Sequence, residues 1–247
     1  MYVCGALAWI CRALGIPYGT DAMALLFKMP STIADLIGTY LIYRIARSQK
    51  IGERGALTLA GIFAFCPVLM FVSGAWGQID SLLALLLLLV IRLLQSDKRI
   101  LAGAVYGVAI LTKPQALMLG PVFAVAFIAD IADAEKDWLK RLLQTVLAVL
   151  AAVAALFLLS LPFQGTQNWD WLIQKYVTTA GSYHYASIEA FNFGALIGGN
   201  WKTADMLLLG VPFYIWGNLF IGISVVYASV LYLFGRKKSP GALYLGG

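Results

Sequence analysis

Charge is scarce in this 247-residue chain: 12% of its residues are charged and 61% are hydrophobic, whereas soluble chains carry about 25% charged residues. The mean hydropathy of +0.83 likewise excludes a soluble globular domain. Histidine is nearly absent, and with His184 alone no His-rich zinc site can form. Cys4, Cys11 and Cys66 make no CxxC or Cys/His pattern, and an odd count argues against a disulfide framework. They read as apolar packing residues. The apolar–polar alternation of an outer-membrane barrel strand is missing from Leu83 to Ile91. No Gly-rich dinucleotide loop occurs, so no nucleoside-diphosphate site is expected. Repeats, low-complexity segments and linkers are missing too, so residues 1–247 read as one domain.

What the chain has in quantity is apolar runs approaching the roughly 20 residues that cross a bilayer. In lipid such runs must satisfy their own backbone groups, which makes them helices. The expectation is an all-α, polytopic integral membrane protein with seven transmembrane or partially spanning passes, at about 22–43, 55–74, 78–95, 100–112, 115–131, 142–163 and 206–234. The net charge of +6 is explained by position, since the cations cluster between runs rather than forming a nucleic-acid surface. Arg44, Arg47, Lys50, Arg54, Arg92, Lys98, Arg99, Lys136, Lys140, Arg141, Arg236, Lys237 and Lys238 fall on one side. Only Arg12, Lys28, Lys113, Lys175 and Lys202 fall on the other. By the positive-inside rule the first side is cytoplasmic.

Residues 100–112 are too short to cross, reaching about 18–20 Å as a helix against a core of about 30 Å. Pro114 lacks an N–H and disfavours helix at Lys113, so a break is expected at Thr112-Lys113-Pro114-Gln115, below the outer surface. Short broken helices of this kind often mark a substrate site. Trp76-Gly77-Gln78-Ile79-Asp80 places an amide and a carboxylate at the junction of two apolar runs, where ionisable groups are costly unless they serve a site. The topology brings that stretch, the Lys113 turn and the loop 164–205 to one non-cytoplasmic face. The loop holds Trp169, Trp171, Tyr176, Tyr183, Tyr185, Phe191, Phe193 and Trp201 among amides, hydroxyls and carboxylates. That mixture suits a carbohydrate, while an interfacial aromatic belt explains the Trp residues equally well. Residues 1–20 are placed outside as an interfacial segment with no helix to carry them across, so the chain reads as a fragment lacking a first membrane helix.

Trp76-Gly77-Gln78-Ile79-Asp80, Lys113-Pro114-Gln115 with the later Pro121, and Ala190-Phe191-Asn192 resemble the membrane-embedded GT-C glycosyltransferases. Within them the chain is similar to bacterial mannosyltransferase-like proteins related to the second mannosyltransferase of the GPI-anchor pathway. It is similar, more distantly, to the glucosyltransferases of lipid-linked oligosaccharide assembly. Lys28-Met29-Pro30 followed by Ala34-Asp35 fits the preceding helix, and the likeness spans roughly residues 20–200. It implies transfer of a hexose, mannose foremost, from a polyprenyl-phosphate donor to a lipid or glycan acceptor. The setting it implies is the outward face of a bacterial plasma membrane, among membrane lipids and without nucleic acid. The general base of such enzymes lies in the first outer loop; here it is expected upstream of Met1, Asp21 being all that the remnant offers.

Against that background Asp80 is expected to contact substrate or ligate a metal, or else to cap the helix that follows. Gln78 would orient the same group, and Gln115 belongs to the same substrate face. Lys113 would meet the donor phosphate as a point charge, unless it pairs with Asp35 inside the membrane. Lys28, seven residues from Asp35 on one helix face, is the other candidate partner for that carboxylate. His184 suits a base or a phosphate donor. Glu189 and Asn192 suit sugar hydroxyls, or the loop's own backbone. A divalent cation is left open and no organic cofactor is expected. The alternative function is a transporter or lipid-carrier flippase, for which Lys28, Asp35, Lys113 and a broken helix would also serve. A structural subunit of a membrane complex is the third reading.

Overall fold

The computed structural model describes residues 2–180, 184–188 and 192–235. It is helical almost throughout, as the apolar runs require. Helices α1 (Tyr2–Ala13), α2 (Asp21–Ser48) and α3 (Glu53–Ala64) are followed by a short α4 (Pro67–Leu69) that passes into a π-helix, Met70–Trp76. Then come α5 (Asp80–Gln95), α6 (Arg99–Thr112), a 3-10 turn (Pro114–Leu119), α7 (Gly120–Asp133) and α8 (Trp138–Ser160). The chain continues through α9 (Trp171–Ala180), α10 (Phe193–Leu196), a hairpin of β1 (Leu207–Leu208) and β2 (Val211–Pro212), and α11 (Phe213–Gly235). Five helical stretches are long and apolar enough to cross a membrane: Asp21–Ser48, Glu53–Trp76, Pro114–Asp133, Glu135–Phe163 and Phe213–Gly235. Their sides are largely exposed apolar residues, as lipid-facing helices require. The protein is an integral membrane protein. α5 and α6 are shorter, 16 and 14 residues, and serve as partial passes.

Two expected passes depart from the structure. The second is not one continuous helix: Pro67 has no N–H to extend α3, so the chain restarts there. The last begins at Phe213, because Leu209 and Gly210, at φ +54° and +78°, make a tight hairpin turn of residues 206–212.

The chain divides into two compact units. The first holds residues 1–116 with 146–153. In it α2 packs on α3 and α5, and α5 pairs with α6 as an antiparallel hairpin. Leu83, Ala109 and Ala116 form the buried centre, with Leu86, Leu87, Tyr106 and Ile110 against them. The middle of α8 lies hard against α6. A Cβ on Gly103 would stand 1.9 Å from the Ala148 carbonyl oxygen, and one on Gly107 would stand 2.2 Å from that of Ala152. Small residues four apart on both helices let the backbones touch, which is how membrane helices associate where no hydrophobic force drives them together.

The second unit holds residues 117–145 with 154–247. Here α11 packs on α7, and Arg141 Nε lies 3.8 Å from Asp130 Oδ2. The loop segment is tied by bridges Tyr185–Thr203 and Ser187–Asn200, and the Trp216 indole N–H donates to the Leu208 carbonyl at 2.9 Å.

Substituting Gly103 by Ala should force α6 and α8 apart and destabilise the protein by about 1–3 kcal/mol, the usual range for overpacking. Gly61→Ala, where a Cβ meets nothing within 4 Å, should leave stability unchanged or slightly raised. Thermal unfolding of the two variants in detergent checks the contrast.

Candidate functional site

The site is built on two interruptions of helix. The first is the π-helix Met70–Trp76, closed by Gly77 in the left-handed conformation at φ +78°. The N–H groups of both Gly77 and Gln78 donate to the Val72 carbonyl, the latter at 3.0 Å. Only glycine takes this φ without strain, and the space is closed as well: a Cβ here would lie 3.1 Å from Lys28 Cγ. Buried serines clamp the turn. Ser31 of α2 donates to the Gln78 carbonyl at 2.6 Å. Ser73 and Ser81 share a hydrogen bond of 2.7 Å across the turn. All three are at most 5% exposed, so each hydroxyl needs its partner in surroundings that offer no water.

The second interruption is at Lys113. α6 stops at Thr112, and Lys113 is extended at φ −155°, ψ 126°, the conformation that a following proline favours. The chain resumes as the 3-10 turn, whose Ala116 carbonyl accepts from the Tyr106 hydroxyl at 3.0 Å. Tyr106, two turns back on α6, thereby fixes where Lys113 leaves the helix.

These two turns meet. Lys113 Nζ and Asp80 Oδ1 form an ion pair. Asp80 opens α5, whose N-cap position is Ile79 and carries no side-chain cap bond, so the carboxylate is spent on Lys113 rather than on capping. The side chains remain 27% and 41% exposed, leaving the pair open to a ligand. The expected pairing of Asp35 with Lys113 or Lys28 is not found. Among the described residues Asp35 Oδ1 is buried without a hydrogen-bond partner, and Lys28 instead lays its stem over Gly77. The reason is geometric: Ser31 draws the turn at Gln78 onto α2, which places Gly77 under Lys28.

The remaining predicted residues are dispersed. Gln78 is half-buried and Gln115 exposed, and neither side chain has a hydrogen-bond partner among the described residues. His184 is exposed, its carbonyl accepting from Ala204 N at 2.7 Å. Asn192 caps α10: its Oδ1 accepts from Ala195 N at 2.9 Å and from the Ser187 hydroxyl at 3.1 Å. Glu189, with Tyr183 and Phe191, lies outside the described residues. Of the loop aromatics, Trp171 is buried while Trp169, Tyr185 and Trp201 are exposed, the last two in edge contact with ring centroids 5.5 Å apart. Burial pushes the Tyr176 phenol above its ordinary value. Among the described residues no three His, Cys, Asp or Glu side chains come together to hold a metal ion. Ser31, Ser73, Ser81 and Tyr106 are what the sequence reading missed. Their signal was a hydroxyl in an apolar helix, which must find a partner.

Fold and site thus define a helical membrane protein with an acid–base pair carried on two broken-helix turns. The chain belongs to the dolichyl-phosphate-mannose-protein mannosyltransferase family, which it matches over residues 7–163. It is 30% identical over 132 residues to GPI mannosyltransferase 2 of Yarrowia lipolytica (strain CLIB 122 / E 150), covering 53% of this chain and 35% of that protein. The chain therefore spans about a third of the length of that relative. No solved structure matches it. The family match encloses Lys28, Gln78, Asp80, Lys113 and Gln115 and ends before His184, Glu189 and Asn192.

Two stability experiments follow from the clamp and the pair. Ser31→Ala strands the Gln78 carbonyl and should cost about 1–3 kcal/mol, the penalty of an unpaired buried acceptor. A double-mutant cycle of Asp80→Asn with Lys113→Gln should give a coupling of about 1 kcal/mol, typical of a partly exposed pair. A coupling of zero in chemical unfolding would show that the pair is not formed in the membrane.

Proposed function

We propose that the protein is a mannosyltransferase that moves a hexose, mannose foremost, from a polyprenyl-phosphate donor to a lipid or glycan acceptor at the non-cytoplasmic face of a bacterial plasma membrane. The observation that carries this reading is the Asp80–Lys113 pair, which lies inside the stretch that places the chain in a mannosyltransferase family. The thirteen-to-five division of basic residues supports the outward face. The similarity to GPI mannosyltransferase 2 supports a lipid-linked acceptor.

In the transfer, the bond between the sugar's anomeric carbon and the phosphate oxygen breaks and its electron pair leaves with the phosphate. The acceptor oxygen bonds to the anomeric carbon and gives its proton to a base. Negative charge grows on the leaving phosphate, and a fixed cation facing it lowers the barrier. Lys113 is that cation. Asp80 holds the ammonium in place, the extended backbone before Pro114 aims it, and Tyr106 anchors the turn behind it. Asp80 is thus a positioning residue.

The test is transfer by the full-length protein in liposomes supplied with radiolabelled polyprenyl-phosphate mannose and a lipid acceptor pool. Lys113→Ala should lower the rate by roughly a hundredfold or more, the scale of losing one transition-state electrostatic contact. Asp80→Asn should fall by less, and Gly61→Ala not at all. Transfer from a nucleotide sugar with none from the lipid-linked donor would sink the proposal. A lipid-carrier transporter is the second reading, favoured by the buried Asp35 oxygen that has no partner among the described residues. It expects donor movement across the bilayer without glycosyl transfer.

A further inference from the structure

Lys28 stands half-buried on α2, a helix apolar enough to cross a membrane. Among the described residues it has neither an acid within ion-pair distance nor a hydrogen bond to its ammonium. An uncompensated lysine in such a position is unfavourable unless a ligand supplies the counter-charge. Asp35 does not supply it: seven residues along the helix is about 10 Å of rise. The stem of Lys28 is laid along the Gly77 turn, with Cγ, Cε and Cδ at 3.1, 3.7 and 3.9 Å from where a Gly77 Cβ would be. That turn is the one clamped by Ser31 and ending at Asp80, the partner of Lys113. Around it stand two lysines and one engaged carboxylate, which leaves one positive charge without an answer. The adjoining backbone N–H groups of Gly77 and Gln78 are both used by the Val72 carbonyl, whereas the Gln78 side-chain amide is unengaged among the described residues.

We propose that Lys28 is the ground-state phosphate ligand of this site: an ammonium held over the Gly77 turn, binding a phosphodiester while Asp80 restrains Lys113. The anion site rests on this geometry alone; its assignment to the sugar donor rests on the function proposed above. The two lysines then divide the work. Lys28 binds the phosphate on arrival, and Lys113 answers the charge that develops as the glycosidic bond breaks. A phosphate reaches the site from one of two sources, a polyprenyl phosphate or the headgroup of an anionic phospholipid, and both present the same chemistry to Lys28.

The test measures binding of a polyprenyl phosphate without sugar to the full-length protein in neutral phosphatidylcholine nanodiscs, with transfer kinetics alongside. Lys28→Gln should weaken binding roughly tenfold or more, the worth of one charge-assisted hydrogen bond, and raise KM with kcat nearly unchanged. Lys28→Arg should largely restore both. Asp80→Asn, which releases Lys113, should bind the phosphate at least as tightly as wild type while kcat falls. If Lys28→Gln unfolds, Lys28→Met keeps the stem on Gly77 and carries the same expectation. Wild-type affinity in Lys28→Gln, or in Lys28→Met, overturns the proposal, as does a loss that Lys28→Arg does not repair. Equal displacement of the probe by phosphatidylglycerol assigns the site to membrane lipid and overturns its donor role. Lys28-dependent binding without any transfer upholds the anion site and removes the transferase reading instead.

Discussion

A lysine in an apolar protein needs its charge met close by, and the first compact unit is arranged around that need at Lys113. Its partner Asp80 is 33 positions away in sequence and on another helix. Bringing them together requires α6 to stop one residue before Pro114 and α5 to begin at Asp80. It also requires the intervening hairpin to keep its register over Leu83, Ala109 and Ala116. The serine clamps and the Tyr106 anchor serve the same end, since a charge pair formed between two loose turns would loosen with them. The pair's partial exposure fits a site that must admit a charged group and release it.

Much of this was legible beforehand where one residue dictates its neighbour's backbone. Pro114 announced the break at Lys113, because a proline acts on the residue before it whatever surrounds them. The Gly77 turn was visible as a polar interruption between apolar runs. The long helices followed from composition, since lipid leaves an apolar run one way to satisfy its backbone. The family resemblance rested on the same motifs and stands.

Long-range choices were not legible. Three carboxylate–lysine pairings were available to Asp35, Asp80, Lys28 and Lys113, and sequence spacing favoured Lys28 with Asp35 on one helix face. The structure places Ser31 against the Gln78 carbonyl, a hydrogen bond across 47 positions that no local pattern encodes, and that contact decides which lysine lies where. The late start of α11 escaped for a different reason: Met206 to Leu209 is as apolar as a membrane helix, and only the φ of Leu209 and Gly210 separates the hairpin from it. Asn192 sits where its weighed alternative put it, as a cap for the loop's own backbone.

The π-helix before Gly77 carries one consequence for how this chain tolerates change in length. An i→i+5 turn holds one residue more than an α turn over the same span, so Met70–Trp76 behaves as a stored insertion. Deleting a single residue there would let the segment relax to ordinary α geometry, and everything after it would swing by about 100° around the axis, the angle one residue subtends. Asp80 would then face away from Lys113 although every side chain of the site was still present. Length in this stretch, more than the identity of its apolar residues, is what the chain has to keep.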